Sequence, residues 1–323
     1  MTDVVVTTLL QAERLVLCTH EHPDGDALGS LTAMQLALSQ LGKDVVSFIA
    51  PTEFPLPYEY QFLNVDDLVT EVPSDERVAV FLDCGNIDRN PADALKDAAT
   101  IVNIDHHHDN TCFGTVNLVV PNASSTAEIV WTLLEPLGVT LTHEIAEALY
   151  VGLVTDTGKF MYENTGPMAH RMAAALLEVG IDAQAIYRHL YEGIPEAKLD
   201  LLSRGLSNIE RYDGGALSMA YLSKADYDAS GAEEGYSEGV VDHLRALDGT
   251  AVAALVRDQL SAGREGMRKV SLRATDDRVD VSAIARVYGG GGHRRAAGFT
   301  TDAGMPELVE FLRREVAAQL SPV

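Results

Sequence analysis

The sequence predicts an α/β protein: a parallel-sheet domain over residues 1–185, a linker over 186–204, and a smaller α+β domain over 205–323, with an active-site cleft between the two domains. Three observations predict it. At 323 residues the chain has room for about two domains of roughly 150 residues each. Its first half alternates short apolar runs with segments of helical period. After about residue 185 that texture gives way to alternating runs and glycine-rich turns.

Arg14–Thr19 (RLVLCT) suits a buried parallel strand, and Asp26–Leu41 then spaces Leu28, Leu31, Met34, Leu38 and Leu41 on one helical face. Val45–Ala50 reads as a second strand, after which Pro51, Pro55 and Pro57 forbid regular structure. Val78–Leu82 (VAVFL) and Thr100–Ile104 (TIVNI) read as the third and fourth strands. Ser124–Leu137 and Thr142–Val154 read as helices, the first opening on Ser-Ser-Thr cap candidates. In the second half, Pro195–Ile209 has helical spacing, while Ala216–Leu222, Val252–Val256 and Val270–Arg273 alternate. Asp213-Gly214-Gly215 marks a turn, and residues 231–239 (GAEEGYSEG) read as a polar loop open to motion.

The formal net charge is −24, and 46% of the residues are hydrophobic, ample for two cores. An acidic surface repels long phosphate backbones, so duplex DNA is not an expected partner. No apolar run is long enough for a membrane span, and no secretory signal pattern opens the chain, so no membrane association is expected. Cys18, Cys84 and Cys112 are an odd set without CxxC spacing, which predicts reduced thiols in a cytoplasmic protein.

Acid and imidazole gather at four places in the first half. His20, Asp24 and Asp26 share one loop, bent by Pro23 and Gly25, directly after the first strand. In an open α/β sheet that is where ligands bind. Asp26 also reads as the N-cap of the following helix, and the cap and ligand readings are compatible. Asp83 ends the VAVFL strand and, taken alone, reads better as a turn former. Asp105-His106-His107-His108 ends the fourth strand, where three imidazoles are hard to explain as packing; His108 falls outside a shared site because three adjacent side chains cannot converge on one point. Asp156 closes an apolar helix-like run.

Neutral imidazole is a common metal ligand, and a neighbouring Asp fixes its tautomer. The charge of four ionised Asp is cancelled by two divalent ions, the pair that clamps phosphorus for in-line attack when about 3.5–4 Å apart. Oxygen-rich coordination with some imidazole suits Mn²⁺, with Co²⁺ and Mg²⁺ as other occupants. Cys18 and Cys84 read as packing residues. In the second half, Gly289-Gly290-Gly291-Gly292-His293-Arg294-Arg295, together with Arg273, reads as a phosphate or nucleotide clamp.

With these motifs the chain resembles the DHH-family phosphoesterases. HEHPDGDALGS at 20–30, FLDCGN at 81–86, NIDHHHDN at 103–110 and VGLVTDTGKF at 151–160 carry the resemblance in the first half. KVSLR at 269–273 and GGGGHRRAAGF at 289–299 resemble the DHH-associated second domain. The chain is most similar to the nanoRNase, pAp-phosphatase and cyclic-di-AMP phosphodiesterase subgroup. It is less similar to RecJ-type exonucleases, which add further domains, and to family II pyrophosphatases, which lack the GGGGH signature.

The resemblance implies two Mn²⁺ ions, one held by His20, Asp24 and Asp83 and the other by Asp26, Asp83, His106 and Asp156, with Asp83 bridging. It implies His107 as proton donor or phosphate contact, oriented by Asp105. Arg273, His293 and the glycines Gly290, Gly291 and Gly292 then hold the distal phosphate or base, with Ser124, Phe160 and Tyr162 as further contacts. The implied reaction is Mn²⁺-dependent hydrolysis of cyclic di-AMP and very short oligoribonucleotides such as pApA to nucleoside 5′-monophosphates, with pAp as a 3′-phosphatase substrate. Rival readings are a RecJ-like single-strand exonuclease, a pyrophosphatase, and a nucleotide sensor without catalysis, against which the complete ligand set stands. A homodimer is compatible with the resemblance.

Overall fold

The apolar runs become the middle of a six-stranded parallel sheet. In the computed structural model, which describes residues 2–63, 68–261 and 263–321, the chain divides into two compact units, Met1–Gly193 and Ile194–Val323. The first contains α1 (Thr2–Gln11), β1 (Arg14–Cys18), α2 (Gly25–Gln40), β2 (Asp44–Phe48), β3 (Leu68–Val69), β4 (Val78–Leu82), α3 (Asp93–Lys96), β5 (Ile101–Asp105), β6 (Val116–Val119), α4 (Thr126–Leu137), α5 (His143–Asp156), α6 (Pro167–Glu178) and α7 (Ala183–Tyr191). The strand order is β3-β2-β1-β4-β5-β6, every pair parallel. Connections run outward in one direction from β1 and in the other from β4, so the order reverses between those two strands. At such a switch point a crevice opens beyond the carboxyl ends.

Residues of the central strands alternate between the sheet's two faces. Leu15, Leu17, Val80, Leu82, Val102 and Ile104 join the larger core, which also takes in buried residues of α2, α4, α5 and α6. Val16, Cys18, Ala79, Phe81 and Ile101 join a smaller one that includes Phe48 and Leu95. Burial on both faces explains why these strands read as continuous apolar runs.

The second unit holds α8 (Glu196–Ser207), β7 (Glu210–Tyr212), β8 (Leu217–Leu222), α9 (Lys224–Ser230), α10 (Val240–Arg245), β9 (Val252–Asp258), β10 (Arg268–Ala274), α11 (Val281–Arg286), β11 (Gly291–His293), β12 (Ala296–Thr301) and α12 (Met305–Leu320). Its sheet runs β11-β12-β10-β9-β8-β7, antiparallel except for the β8–β9 pair.

Several expectations change. The proline-rich stretch after β2 forms two single 3₁₀ turns: Pro51–Glu53, whose first position Pro51 fills without needing its missing N–H, and Tyr58–Tyr60, which follows Pro57. Residues 231–239 are tied down by their own acids and hydroxyls. The Glu234 carboxylate accepts the Leu260 amide N–H at 3.0 Å, and the Ser237 hydroxyl accepts from Arg257 at 2.9 Å. The helix expected over Pro195–Ile209 is α8, which with the end of α7 makes residues 186–204 mainly helical. Among the described residues, no helix is long and apolar enough to cross a membrane.

Candidate metal centre

His20, Asp24 and Asp26 follow β1, Asp83 follows β4, Asp105 ends β5 with His106 and His107 behind it, and Asp156 closes α5. The parallel sheet therefore delivers three of its carboxyl ends to one place. Two glycine contacts bring in the fourth element. A Cβ on Gly29 of α2 would meet the Ala148 carbonyl oxygen at 2.4 Å, and one on Gly152 of α5 would meet Asp26 Oδ1 at 2.9 Å. Only the missing side chains let α2 and α5 approach closely enough to seat Asp156 near Asp26.

The ligand atoms of His20, Asp24 and Asp83 lie within 4.8 Å of one another, as do those of Asp26, His106 and Asp156. Asp83 Oδ2 faces His20 Nε2 at 3.5 Å, and its Oδ1 faces His106 Nε2 at 3.6 Å. His106 Nε2 also stands 3.8 Å from Asp26 Oδ2 and 3.6 Å from Asp156 Oδ2. Both imidazoles direct their other nitrogen at a carbonyl: His20 Nδ1 lies 2.7 Å from Glu21 O, and His106 Nδ1 lies 3.3 Å from Ala123 O. A ring that donates from Nδ1 presents a lone pair at Nε2 when neutral.

In the neutral rings those lone pairs would face carboxylate oxygens, at distances too long for good hydrogen bonds. Two ligands on one cation, at bonds of about 2.0–2.2 Å, stand roughly 3–4.4 Å apart. The donor set therefore fits divalent ions, and its chemistry, oxygen with some imidazole, fits a hard or borderline one.

The titration behaviour of the metal-free cluster carries the same sense. Burial opposes the charged form of His106, but Asp156, Asp83 and Asp26 outweigh it and raise its pKa to about 9. Burial, followed by the Asp83 and Asp24 charges, pushes Asp156 up to about 7 despite His106. Asp26 is raised by burial and then by Asp83 and Asp156. Burial also acts on Asp83, but His20, His107 and His106 together hold it below the usual carboxylate range. At pH 7 a proton on His106 thus occupies the place of a cation. Mn²⁺ uptake at pH 7 is expected to release more than one proton, from His106 together with Asp156 and Asp26, and affinity to climb with pH until His106 is neutral near 9. Calorimetry in two buffers of different ionisation enthalpy measures this; identical enthalpies would contradict it.

Asp105 and His107 form a pair of their own, with His107 Nδ1 2.7 Å from Asp105 Oδ1. The other Asp105 oxygen accepts from Asn110 Nδ2 at 2.5 Å. Burial works against the His107 cation, yet the Asp105 hydrogen bond and the Asp83 charge raise its pKa. His108 is exposed.

The N-cap expectation for Asp26 is corrected. Asp24 caps α2, its Oδ1 accepting the amides of Asp26 and Ala27, while Asp26 sits inside the first turn. Asp26 instead accepts the first amides of another helix: Thr126 N–H at 2.6 Å and Ala127 N–H at 2.9 Å. Ser124 commits its hydroxyl to Glu128 at 2.6 Å, Phe160 stacks on His170, and Tyr162 lies over Gly158. Cys18 and Cys84 are buried; burial raises both thiols, Cys84 to about 12, which keeps them protonated.

In the second unit, Arg273 and His293 both register against Ala296, from the strands on either side of it. Directly opposed residues share a sheet face, so these two side chains point to the same side. The glycine run is only partly a loop, because Gly291–His293 pairs with β12. A Cβ on Gly290 would strike the Gly298 carbonyl oxygen at 2.2 Å, so that glycine is required by the hairpin itself.

Sequence reasoning passed over Thr126 and Asn164. Asn164 Nδ2 donates to the Ser124 carbonyl at 2.8 Å and to Asp156 Oδ2 at 3.1 Å. Nothing in its local sequence marks it; only the turn after α5 returns it to Asp156.

Comparison with known proteins places these features. A model of the DHH family, N-terminal domain, matches residues 14–153, and one of the DHHA1 domain matches residues 218–321. The bifunctional oligoribonuclease and PAP phosphatase NrnA of Thermus thermophilus is 34% identical over 309 residues, which cover 94% of this chain and 90% of that protein. Its Bacillus subtilis namesake is 24% identical over 305 residues, 92% of each. The crystal structure of an exopolyphosphatase-related protein from Bacteroides fragilis superposes with a TM-score of 0.86 at 25% identity, covering 98% of this chain and 95% of that one. The chain therefore belongs to the DHH family of phosphoesterases and joins that family's N-terminal domain to a DHHA1 domain.

Proposed function

We propose that this protein is a two-metal phosphodiesterase that hydrolyses very short oligoribonucleotides, such as pApA, and cyclic dinucleotides to nucleoside 5′-monophosphates, and removes the 3′-phosphate of pAp. The observation that carries the proposal is the pair of His/Asp groups meeting at Asp83. Similarity over nearly the whole chain to proteins named as oligoribonucleases and PAP phosphatases supports the substrate class.

One ion would be held by His20, Asp24 and Asp83, and the other by Asp26, Asp83, His106 and Asp156, with Mn²⁺ the proposed occupant. Bound there, divalent ions supply Lewis acidity toward the phosphoryl oxygens and lower the pKa of water. The chain's own residues supply the rest. Asp105 fixes the His107 ring through Nδ1 and favours its cationic form, which leaves Nε2 to deliver a proton to the departing 3′-oxygen. Arg273 and His293 are proposed to hold the substrate's distal phosphate, drawing on their shared sheet face.

The test is a metal-free preparation given Mn²⁺ and a panel of cyclic di-AMP, pApA, a longer single strand, pAp and pyrophosphate. Release of AMP from the dinucleotides and pAp supports the proposal. Cleavage of pyrophosphate alone, of the long strand as fast as pApA, or of nothing would overturn it. Arg273→Ala or His293→Ala is expected to raise KM for pApA at least ~10-fold, the loss of a charge-assisted hydrogen bond. A small phosphate ester should be hydrolysed as before. Equal losses on both substrates would remove these residues from the distal contact.

A further inference from the structure

Thr126 is fully buried at the start of α4, and both of its hydrogen-bond donors are spent on candidate metal ligands. Its amide N–H donates to Asp26 Oδ2 at 2.6 Å and its hydroxyl donates to Asp83 Oδ1 at 3.0 Å. Those carboxylates come from different elements, the first turn of α2 and the residue after β4. Asp83 leaves its strand with φ 56°, so strand pairing does not fix its side chain. His106 Nε2 and His107 Nδ1 approach the same Oδ1 only to 3.6 Å, beyond good hydrogen-bond range. The Thr126 hydroxyl makes the close contact. A carboxylate only accepts, so the hydroxyl must donate.

The start of α4 explains why the amide is available. The Ser125 cap takes the Glu128 amide at 3.1 Å, leaving the first two amides of the helix to Asp26. One residue thereby ties the carboxylate proposed to bridge both ions to a carboxylate proposed to hold the second ion alone.

We propose that Thr126 is a positioning residue that sets the separation of Asp26 and Asp83, and through it the affinity of the centre for divalent ions. The inference rests on the two-ion reading of the site. Thr126 touches neither substrate nor reacting atoms; it acts through the two carboxylates. Valine keeps its shape but leaves a buried Asp83 oxygen without its donor.

The test titrates metal-free wild type, Thr126→Val and Thr126→Ser with Mn²⁺ by calorimetry and follows their thermal unfolding without metal. Thr126→Val is expected to bind Mn²⁺ about 10- to 100-fold more weakly, the usual effect of removing a group that orients a ligand. Thr126→Ser should bind within a few-fold of wild type and melt close to it without metal, while metal-free Thr126→Val should melt lower, its buried carboxylate oxygen having lost a donor. Undiminished Mn²⁺ affinity in Thr126→Val would overturn the inference and leave the two-ion reading intact. No Mn²⁺ uptake by wild type would overturn that reading and this inference with it. If the valine variant does not fold, Thr126→Ala is compared with Thr126→Ser: a 10- to 100-fold difference supports the hydroxyl's role, and equal affinity overturns it.

Discussion

Asp83→Asn is expected to lose turnover of every substrate by well over ~100-fold, since removing even an outer partner of a metal ligand costs about 10–100-fold. Among the described residues, Asp83 is the one side chain whose two oxygens face His20 and His106. Asparagine is the cleaner substitution, because Asp83 occupies the left-handed region at φ 56°, where Asn is tolerated. Alanine would add about 1–2 kcal/mol of backbone strain to the chemical loss. The same variant is expected to lose stabilisation by metal. At about 100 times its Kd, a ligand bound only by the native state contributes about 2.7 kcal/mol. For a unit of this size that raises the melting temperature by roughly 5–11 °C. Wild type should show that rise with Mn²⁺ and Asp83→Asn should not; retained turnover, or an equal rise in both proteins, would rule out a bridging role.

The second large effect is expected from Gly152→Ala. Its methyl group would stand 2.7 Å from Ala127 Cβ and 2.9 Å from Asp26 Oδ1, between α4, α5 and α2. Overpacking of this kind costs about 1–3 kcal/mol, and relief by separating the helices would move Asp26 or Asp156. Urea unfolding should show a lower midpoint, and Mn²⁺ affinity should fall with it. Gly235→Ala, where an added methyl meets nothing within 4 Å, is the control expected to change neither. A Gly152→Ala midpoint equal to that of the control would show that the α2–α5 approach has slack.

How much of this was legible beforehand follows from the range of the interactions involved. β1, β4 and β5 were legible to within about a residue because burial on both faces leaves a continuous apolar run, a signal contained in five consecutive residues. The two-residue β3 and the half-buried β6 carry no such run, and they were missed. The ligand candidates were legible because polar groups placed directly after apolar strands stand out within their own segments. For Asp26 the choice of cap was not, since Asp24 and Asp26 are both good caps and only the geometry of the first turn selects Asp24.

The alternation of strands and helices, the acidic character and the His and Asp candidates at strand ends were readable because each depends on neighbours along the chain. Which of those residues meet is a matter of tertiary packing. Parallel pairing brings the end of β4 beside the end of β1, and two glycines let α5 reach α2. Thr126 acquires its role because α4 closes on Asp26 and Asp83, which are distant in the chain, and Asn164 because the turn after α5 folds back on Asp156. Hydrogen bonds and Coulomb forces act over a few ångströms of space, whereas the patterns read from a sequence are distances along the chain, and folding alone converts one into the other.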